Sequence, residues 1–240
     1  MKKQRARSKK MNRLVSIELL AILLLVLLCI YKNNNFSFLN DVNMFSQKKY
    51  DVVLDAGHGG YDSGAQYDDI DESTLNLEIT KKIGKVLEQK GYSVKYTRDS
   101  DEVSWTSEEA QDLEERLKIA NNSNAKLFVS IHTNADEYDE GSYGYEIWGK
   151  IKNETVYQLS KNVLDEMNTL QYSQNRGMID QDVSTIKVLN ENKLPAILVE
   201  TGFISSEIDR SYLTNTSNQE KLANKIANGI AKTLESMLKE

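Results

Sequence analysis

Short apolar runs alternate with amphipathic segments from about residue 50 to the end of the chain. Three nearly continuous apolar runs predict buried strands, and two mixed segments predict further ones: 52–54, 127–131, 196–199, 94–97 and 143–148. Apolar positions at helical spacing predict four helices: 75–87, 110–120, 156–170 and 222–234. Strands and helices that alternate in this way predict an α/β fold, with a mostly parallel twisted sheet flanked by helices on both faces.

The N-terminal residues follow a different pattern. Seven Lys or Arg residues within residues 1–13 precede an apolar run over residues 14–31, which only Ser16 and Glu18 interrupt. Eighteen helical residues span about 27 Å, close to the hydrocarbon thickness of a bilayer. Basic residues before such a span keep that end in the cytoplasm. We therefore expect a cytoplasmic basic segment, then a single-pass transmembrane helix that anchors the chain in the cell membrane, and an extracytoplasmic remainder. A cleaved signal peptide is the alternative, although no A-x-A-like site follows.

Charge and composition limit the possible functions of the exported part. Residues 1–31 carry seven basic residues and one Glu, a net charge of +6; the whole chain carries −6, so residues 32–240 carry −12. An acidic domain repels nucleic acid, which argues against a nucleic-acid partner. The polar residues 32–49 predict a tether, and residues 50–240 predict one catalytic domain.

Unusual polar residues follow three of the predicted strands, within the segments 55–65, 130–135 and 198–203. In open α/β sheets, sites lie just beyond the carboxyl ends of the strands. The two histidines of the chain, His58 and His132, both follow buried strands there. Two imidazoles at one sheet edge with carboxylates nearby suit Zn²⁺.

The surrounding carboxylates can be assigned by their positions. Glu72 opens the helix after the glycine-rich loop, which makes it the best candidate for a third metal ligand. Glu200 ends a buried strand beside the predicted metal, a position that favours a catalytic role over a helix-cap contact. We expect Asp55 to orient a histidine rather than to bind the metal. The glycine-rich loop itself lacks the lysine of a phosphate-binding P-loop.

Seven segments in order resemble the zinc-dependent N-acetylmuramoyl-L-alanine amidases of the amidase-3 type, over roughly residues 50–239. They are Asp55 to Ala65, Glu72 with Leu75-Asn76-Leu77, Thr97-Arg98, Arg116 with Ala120-Asn121, Ser130 to Ala135, Asn175-Arg176-Gly177 and Pro195 to Ser205. The resemblance implies His58, Glu72 and His132 as zinc ligands and Glu200 as the catalytic glutamate. It also makes Asn134 and Arg176 candidates for substrate contacts or for support of the ligands.

The resemblance implies an enzyme that hydrolyses the amide between N-acetylmuramic acid and L-alanine. Its partners are then the glycan strands and stem peptides of peptidoglycan, together with the membrane through residues 14–31. Wall remodelling, cell separation and spore-cortex maturation all remain open as roles, and the residues identify no protein activator. Two other classes are also open: a metal-independent glycosidase with Glu72 and Glu200 as its carboxylate pair, and a non-enzymatic peptidoglycan-binding protein.

Overall fold

A computed structural model of the protein describes residues 22–24, 49–105, 108–136, 141–181 and 186–239. The strands are β1 (Val52–Ala56), β2 (Gln66–Tyr67), β3 (Ile70–Asp71), β4 (Val94–Tyr96), β5 (Leu127–Asn134), β6 (Tyr145–Gly149), β7 (Asn175–Asp180) and β8 (Ala196–Phe203). The helices after residue 49 are α1 (Glu72–Gln89), α2 (Glu109–Asn121), α3 (Glu154–Asn168), α4 (Lys187–Asn190), α5 (Glu207–Leu213) and α6 (Thr216–Met237).

Six strands form one sheet in the order β4-β1-β5-β8-β6-β7, and β2 pairs with β3 in a small separate hairpin. Strands β4, β1, β5 and β8 are mutually parallel, whereas β6 runs antiparallel to β8 and β7 runs parallel to β6. The predicted α/β fold with a mostly parallel sheet is therefore confirmed.

Each face of the sheet is covered because the central strands are apolar on both sides. On β1, Val52 and Leu54 belong to the larger core, which α1, α3 and α6 complete. Val53, the residue between them, belongs to the smaller core on the opposite face, to which α2 and α4 contribute. This alternation follows from the two-residue period of a strand. Helices on both faces leave only the ends of the sheet open for a site.

Several elements were not predicted: the β2–β3 hairpin, β7, α4 and α5. The predicted basic segment, transmembrane span and tether fall at residues 1–49, of which the structure describes only 22–24 and 49. Across the described part of the chain, no helix is both long enough and apolar enough to cross a bilayer.

Candidate active site

The carboxyl ends of β1, β5 and β8 meet at one edge of the sheet. Ala56, the last residue of β1, pairs in register with Ile131 of β5, and His132 pairs with Glu200 of β8. His58 follows β1 after a single glycine and adopts a positive φ of 59°, which is uncommon for a residue with a side chain. Two of the three predicted polar segments thus lie beside each other on β5 and β8, and the third follows directly from β1.

His58, Glu72 and His132 converge into one cluster of potential metal ligands. One ligand atom from each side chain lies within 4.8 Å of the others. The Nε2 atom of His58 is 3.1 Å from Glu72 Oε2, and the Nδ1 atom of His132 is 3.0 Å from Glu72 Oε1. Two imidazole nitrogens and a carboxylate form the donor set of a catalytic zinc site, which keeps a further position for water. The residues present therefore fit a zinc ion.

Hydrogen bonds between opposite charges join the three side chains of this cluster. Burial disfavours the charged form of Glu72, but its bonds with His132 and His58 outweigh burial and keep the pKa of Glu72 below its ordinary value. Burial likewise lowers the pKa of His58, whereas Glu72 and Asp62 together raise that pKa to about 9. A cation bound at the His58 ring would compete with a proton there.

Neighbouring groups fix the orientation of His58 and Glu72. Asp62 Oδ2 lies 2.7 Å from His58 Nδ1, which leaves Nε2 to face Glu72. Asn76, fully buried one turn along α1, donates to Glu72 Oε1 at 3.0 Å. A Cβ at Gly64 would come within 2.6 Å of Glu72 Oε2 and 2.8 Å of the His58 ring, so a side chain there would displace the cluster. A carboxylate behind a ligating histidine is a common arrangement in metal sites. The sequence reasoning missed both Asp62 and Asn76, although Asp62 lies within the glycine-rich segment that it singled out.

Packing also restricts the ring of His132. A Cβ on Gly57 would lie 2.2 Å from the His132 ring, so only glycine leaves room for the ring at this point. Thr201 Oγ1 also donates to the His132 carbonyl at 2.9 Å, which ties β5 to β8 beside the cluster.

Two buried arginines hold the main chain of the loop that carries His58. Arg98 donates to the carbonyls of Ala56 and Gly57 at 3.0 Å each. Arg116 donates to the carbonyl of His58 at 2.6 Å and to Asp55 Oδ1 at 2.8 Å. The buried arginines therefore take up carbonyl oxygens that a glycine-rich loop would otherwise leave unpaired.

No hydrogen bond or ion pair joins Asp55 to a histidine ring among the described residues, although we expected Asp55 to orient one. Its carboxylate accepts hydrogen bonds from Thr97, Ser130 and Arg116. Burial opposes its charge, but Arg116 and the two hydroxyl groups keep the pKa of Asp55 below its ordinary value. Asp55 is linked to His58 through Arg116, which donates both to Asp55 Oδ1 and to the His58 carbonyl.

Replacing Arg116 with methionine is expected to destabilise the fold by about 3–5 kcal/mol, because it leaves the buried carboxylates Asp55 and Asp112 without their cation. The free energy of unfolding in urea, measured on metal-free protein, tests this expectation. Lys118→Met in the same helix is the matched control, since Lys118 is exposed and its one ion pair in the described part of the chain is with Glu115. We expect a change within about 1 kcal/mol. Equal stability of the two variants would contradict the scaffold role of Arg116.

Glu200 lies beside the cluster of potential metal ligands, and one of its carboxyl oxygens differs from theirs in its hydrogen bonding. Its Oε2 atom is buried and has no hydrogen-bond partner within the described ranges. Burial first, and then the carboxylates of Glu72 and Glu146, raise the pKa of Glu200 well above its ordinary value. A buried carboxyl oxygen that serves no structural bond is available to exchange a proton with a reactant.

Asn134 and Arg176 meet at a third glutamate, which the sequence reasoning did not single out. Arg176 Nε donates to Glu146 Oε2 at 2.7 Å, and Asn134 Nδ2 lies 3.5 Å from Glu146 Oε1. Glu146 is itself the register partner of Glu200. Arg176 lies on β7, beyond β6, whereas Asn134 ends β5 on the other side of β8, and the two side chains meet at Glu146.

Residues 52–232 match the protein family described as N-acetylmuramoyl-L-alanine amidase. The germination-specific N-acetylmuramoyl-L-alanine amidase of Bacillus subtilis (strain 168) is 29% identical over 188 residues, which cover 75% of this chain and 77% of that protein. The sporulation-specific N-acetylmuramoyl-L-alanine amidase of the same organism is 31% identical over 183 residues, which cover 75% and 66% respectively. The solved CwlD amidase from Clostridioides difficile, in complex with the GerS lipoprotein, has a TM-score of 0.69 and 33% identity, over 78% of this chain and 100% of that one.

These similarities extend over the whole sheet and every element that carries the cluster. The family match begins at the first residue of β1 and ends within α6. It favours amide hydrolysis over the glycosidase and the non-enzymatic alternatives. The chain therefore belongs to the N-acetylmuramoyl-L-alanine amidase family and is an enzyme that acts on the peptidoglycan of the cell wall.

Proposed function

We propose that the enzyme is a zinc-dependent hydrolase that cuts the amide between N-acetylmuramic acid and L-alanine, with His58, Glu72 and His132 as zinc ligands. The observation that carries this proposal is the convergence of the three donor side chains within 4.8 Å, beside a carboxyl oxygen of Glu200 that has no hydrogen-bond partner among the described residues. No other group of three or more His, Cys, Asp or Glu side chains in the described part of the chain has this geometry.

Glu200 then performs the proton transfers. When bound, Zn²⁺ lowers the pKa of water toward about 7 and polarises the scissile carbonyl. Glu200 takes the proton of the attacking water and delivers a proton to the nitrogen of L-alanine as the carbon–nitrogen bond breaks. An amide nitrogen is a poor leaving group until it is protonated, so the second transfer is as necessary as the first. Burial raises the pKa of Glu200 above its ordinary value, which makes its carboxylate a stronger base toward the attacking water.

Zinc dependence is tested by treating the purified full-length chain with a chelator and then supplying metal. We expect release of stem peptides from isolated peptidoglycan to stop on chelation and to return with Zn²⁺. Added Mg²⁺ should not restore it, because Mg²⁺ prefers oxygen ligands and two of the three donors are imidazoles. Cleavage that continues at the same rate after chelation would contradict the proposal.

We also propose that residues 14–31 anchor the enzyme in the cell membrane and that residues 50–240 work outside it. The apolar run and the basic residues before it support this topology. Protease added to intact spheroplasts is expected to degrade the catalytic domain. A domain that stays protected until the membrane is lysed would contradict the proposed orientation.

The biological role follows from the proposed reaction and remains among wall remodelling, cell separation and spore-cortex maturation. Two relatives carry the names germination-specific and sporulation-specific amidase, which supports the last of these roles. Expression confined to sporulating cells would favour spore-cortex maturation, and expression in growing cells would favour the other two.

A further inference from the structure

Glu146 is a buried carboxylate that the proposed mechanism does not use. It lies on β6, directly opposite Glu200 in the antiparallel pairing with β8, and only 3% of its surface is exposed. Its oxygens accept hydrogen bonds from Arg176 Nε at 2.7 Å and from Trp148 Nε1 at 3.0 Å. Burial of a carboxylate costs free energy of folding unless the charge is paired. The position of Glu146 beside the reacting carboxyl group of Glu200 therefore indicates a function.

The backbone around Arg176 is arranged to deliver its side chain to Glu146. Tyr145 pairs with Asn175 and Glu146 with Gly177, so Arg176 is the extra residue of a β-bulge on the edge strand β7. Bulges are known to redirect side chains, and this one occurs in a parallel pair, where bulges are rare. The arginine stem lies across Gly144, where a Cβ would come 2.9 Å from its Cγ and Cδ atoms.

These contacts hold the guanidinium group but leave part of it free. Its Nε atom is bonded to Glu146, and its central carbon lies 5.0 Å from the centre of the Phe203 ring. The two terminal Nη groups have no hydrogen-bond partner among the described residues, and 37% of the side chain is exposed. A guanidinium held by Nε and by an aromatic face still presents N–H donors that match a carboxylate.

We propose that Glu146 is a positioning residue that holds Arg176 as the binding site for a carboxylate of the stem peptide. The inference rests on the proposed function, because it concerns the substrate of that reaction. Stem peptides carry free carboxylates beyond L-alanine, and they must approach a cleft that already contains Glu72, Glu146 and Glu200. Arg176 offsets part of that negative charge, because its guanidinium group forms an ion pair with Glu146.

The test compares two substrates that differ only in charge. N-acetylmuramoyl-L-alanyl-D-glutamate and its diamide contain the same scissile bond, and the diamide lacks both carboxylates. The kcat/KM of each is measured for the full-length enzyme with zinc and for the variants Arg176→Gln and Glu146→Gln. Arg210→Gln is the matched control, because the Arg210 guanidinium also lies over an aromatic ring, at 4.0 Å from Tyr67, but donates to main-chain carbonyls.

We expect Arg176→Gln to lower kcat/KM for the diacid by about 10- to 100-fold, mainly through KM, and to change the diamide by less than about threefold. Glu146→Gln should reduce the same preference by about three- to tenfold, since a neutral partner holds Arg176 less firmly. Arg210→Gln should leave the preference unchanged. Equal losses on both substrates would overturn the inference, because Arg176 would then serve only to neutralise Glu146.

Binding of the dipeptide L-alanyl-D-glutamate, measured by calorimetry, separates this inference from the proposed function. If the wild-type enzyme cleaves neither substrate but binds the dipeptide more tightly than its diamide, and Arg176→Gln abolishes that difference, the carboxylate site stands and the assigned reaction fails. If the enzyme cleaves both substrates and binds the dipeptide and its diamide equally, the reaction stands and the carboxylate site fails.

Discussion

Replacing Glu200 with glutamine is expected to lower the rate of amide cleavage by about 10²- to 10⁴-fold while zinc remains bound. Glutamine has nearly the same shape as glutamate but cannot accept the proton of the attacking water. The buried Oε2 atom has no hydrogen-bond partner in the described structure, so the substitution removes no bond on which the fold depends. The loss should therefore appear in kcat, and the zinc content should stay at one ion per chain.

Glu207→Gln is the matched control for this variant. Glu207 is exposed at the start of α5, seven residues further along the chain, and the same chemical change there should leave the rate unaltered. Kinetic assays on peptidoglycan measure the cleavage rate, and metal analysis of the same preparations measures the zinc content. Loss of zinc from the Glu200 variant would make Glu200 a ligand and would contradict its assignment as the proton carrier.

Replacing Glu72 with glutamine is expected to weaken zinc binding by at least about 10²-fold, and activity should fall with it. Loss of groups that merely support a ligand costs about 10- to 100-fold in metal affinity, so loss of a charged ligand should cost more. Glu72 also lies between the two histidines and accepts a bond from the main-chain N–H of Ala65. Titration of metal-free protein with Zn²⁺ measures the affinity directly.

Glu88→Gln provides the control within the same helix. Glu88 is exposed near the end of α1, so the variant loses the same charge at a distance from the cluster. It should bind zinc as tightly as the wild type. A Glu72 variant that keeps full zinc affinity would remove Glu72 from the ligand set and leave only two histidines to hold the ion.

The parts of the fold that could be predicted from sequence are those in which burial leaves a continuous signal. Strands β1, β5 and β8 are covered on both faces, so their apolar runs are nearly unbroken and their polar ends stand out. The same reason explains why His58 and His132 could be brought together from the sequence, because parallel strands end at one edge of a sheet. Glu72 could be added because it opens the helix that follows the glycine-rich loop.

Other parts could not be predicted because their signal depends on partners far along the chain. Strand β7 lies at the edge of the sheet, and its first residues, Asn175 and Arg176, are exposed, so no apolar run marks it. The antiparallel direction of β6 could not be predicted from the residues of β6 either, because that direction depends on the edge at which the chain enters the sheet. The two-residue strands β2 and β3 are too short to show any period.

The residues that support the site were missed for a related reason. Asp62 contacts His58 only because the loop between them turns back on itself, with Gly59 bonded to Asp62. Glu146 contacts Arg176 only through the bulge in the β6–β7 pairing. Neither the turn nor the register can be predicted from spacing alone, whereas His58 and His132 lie at strand ends and Glu72 opens a helix.

The most direct test of the account is to identify the bond that the enzyme cuts. Purified full-length enzyme with zinc would be incubated with isolated peptidoglycan, and the soluble and insoluble products would be analysed by mass spectrometry. We expect stem peptides that begin with a free L-alanine amine, together with glycan strands that have lost their peptides. New reducing sugar ends on fragments that still carry their stem peptides would contradict it and would assign Glu72 and Glu200 to glycoside cleavage instead.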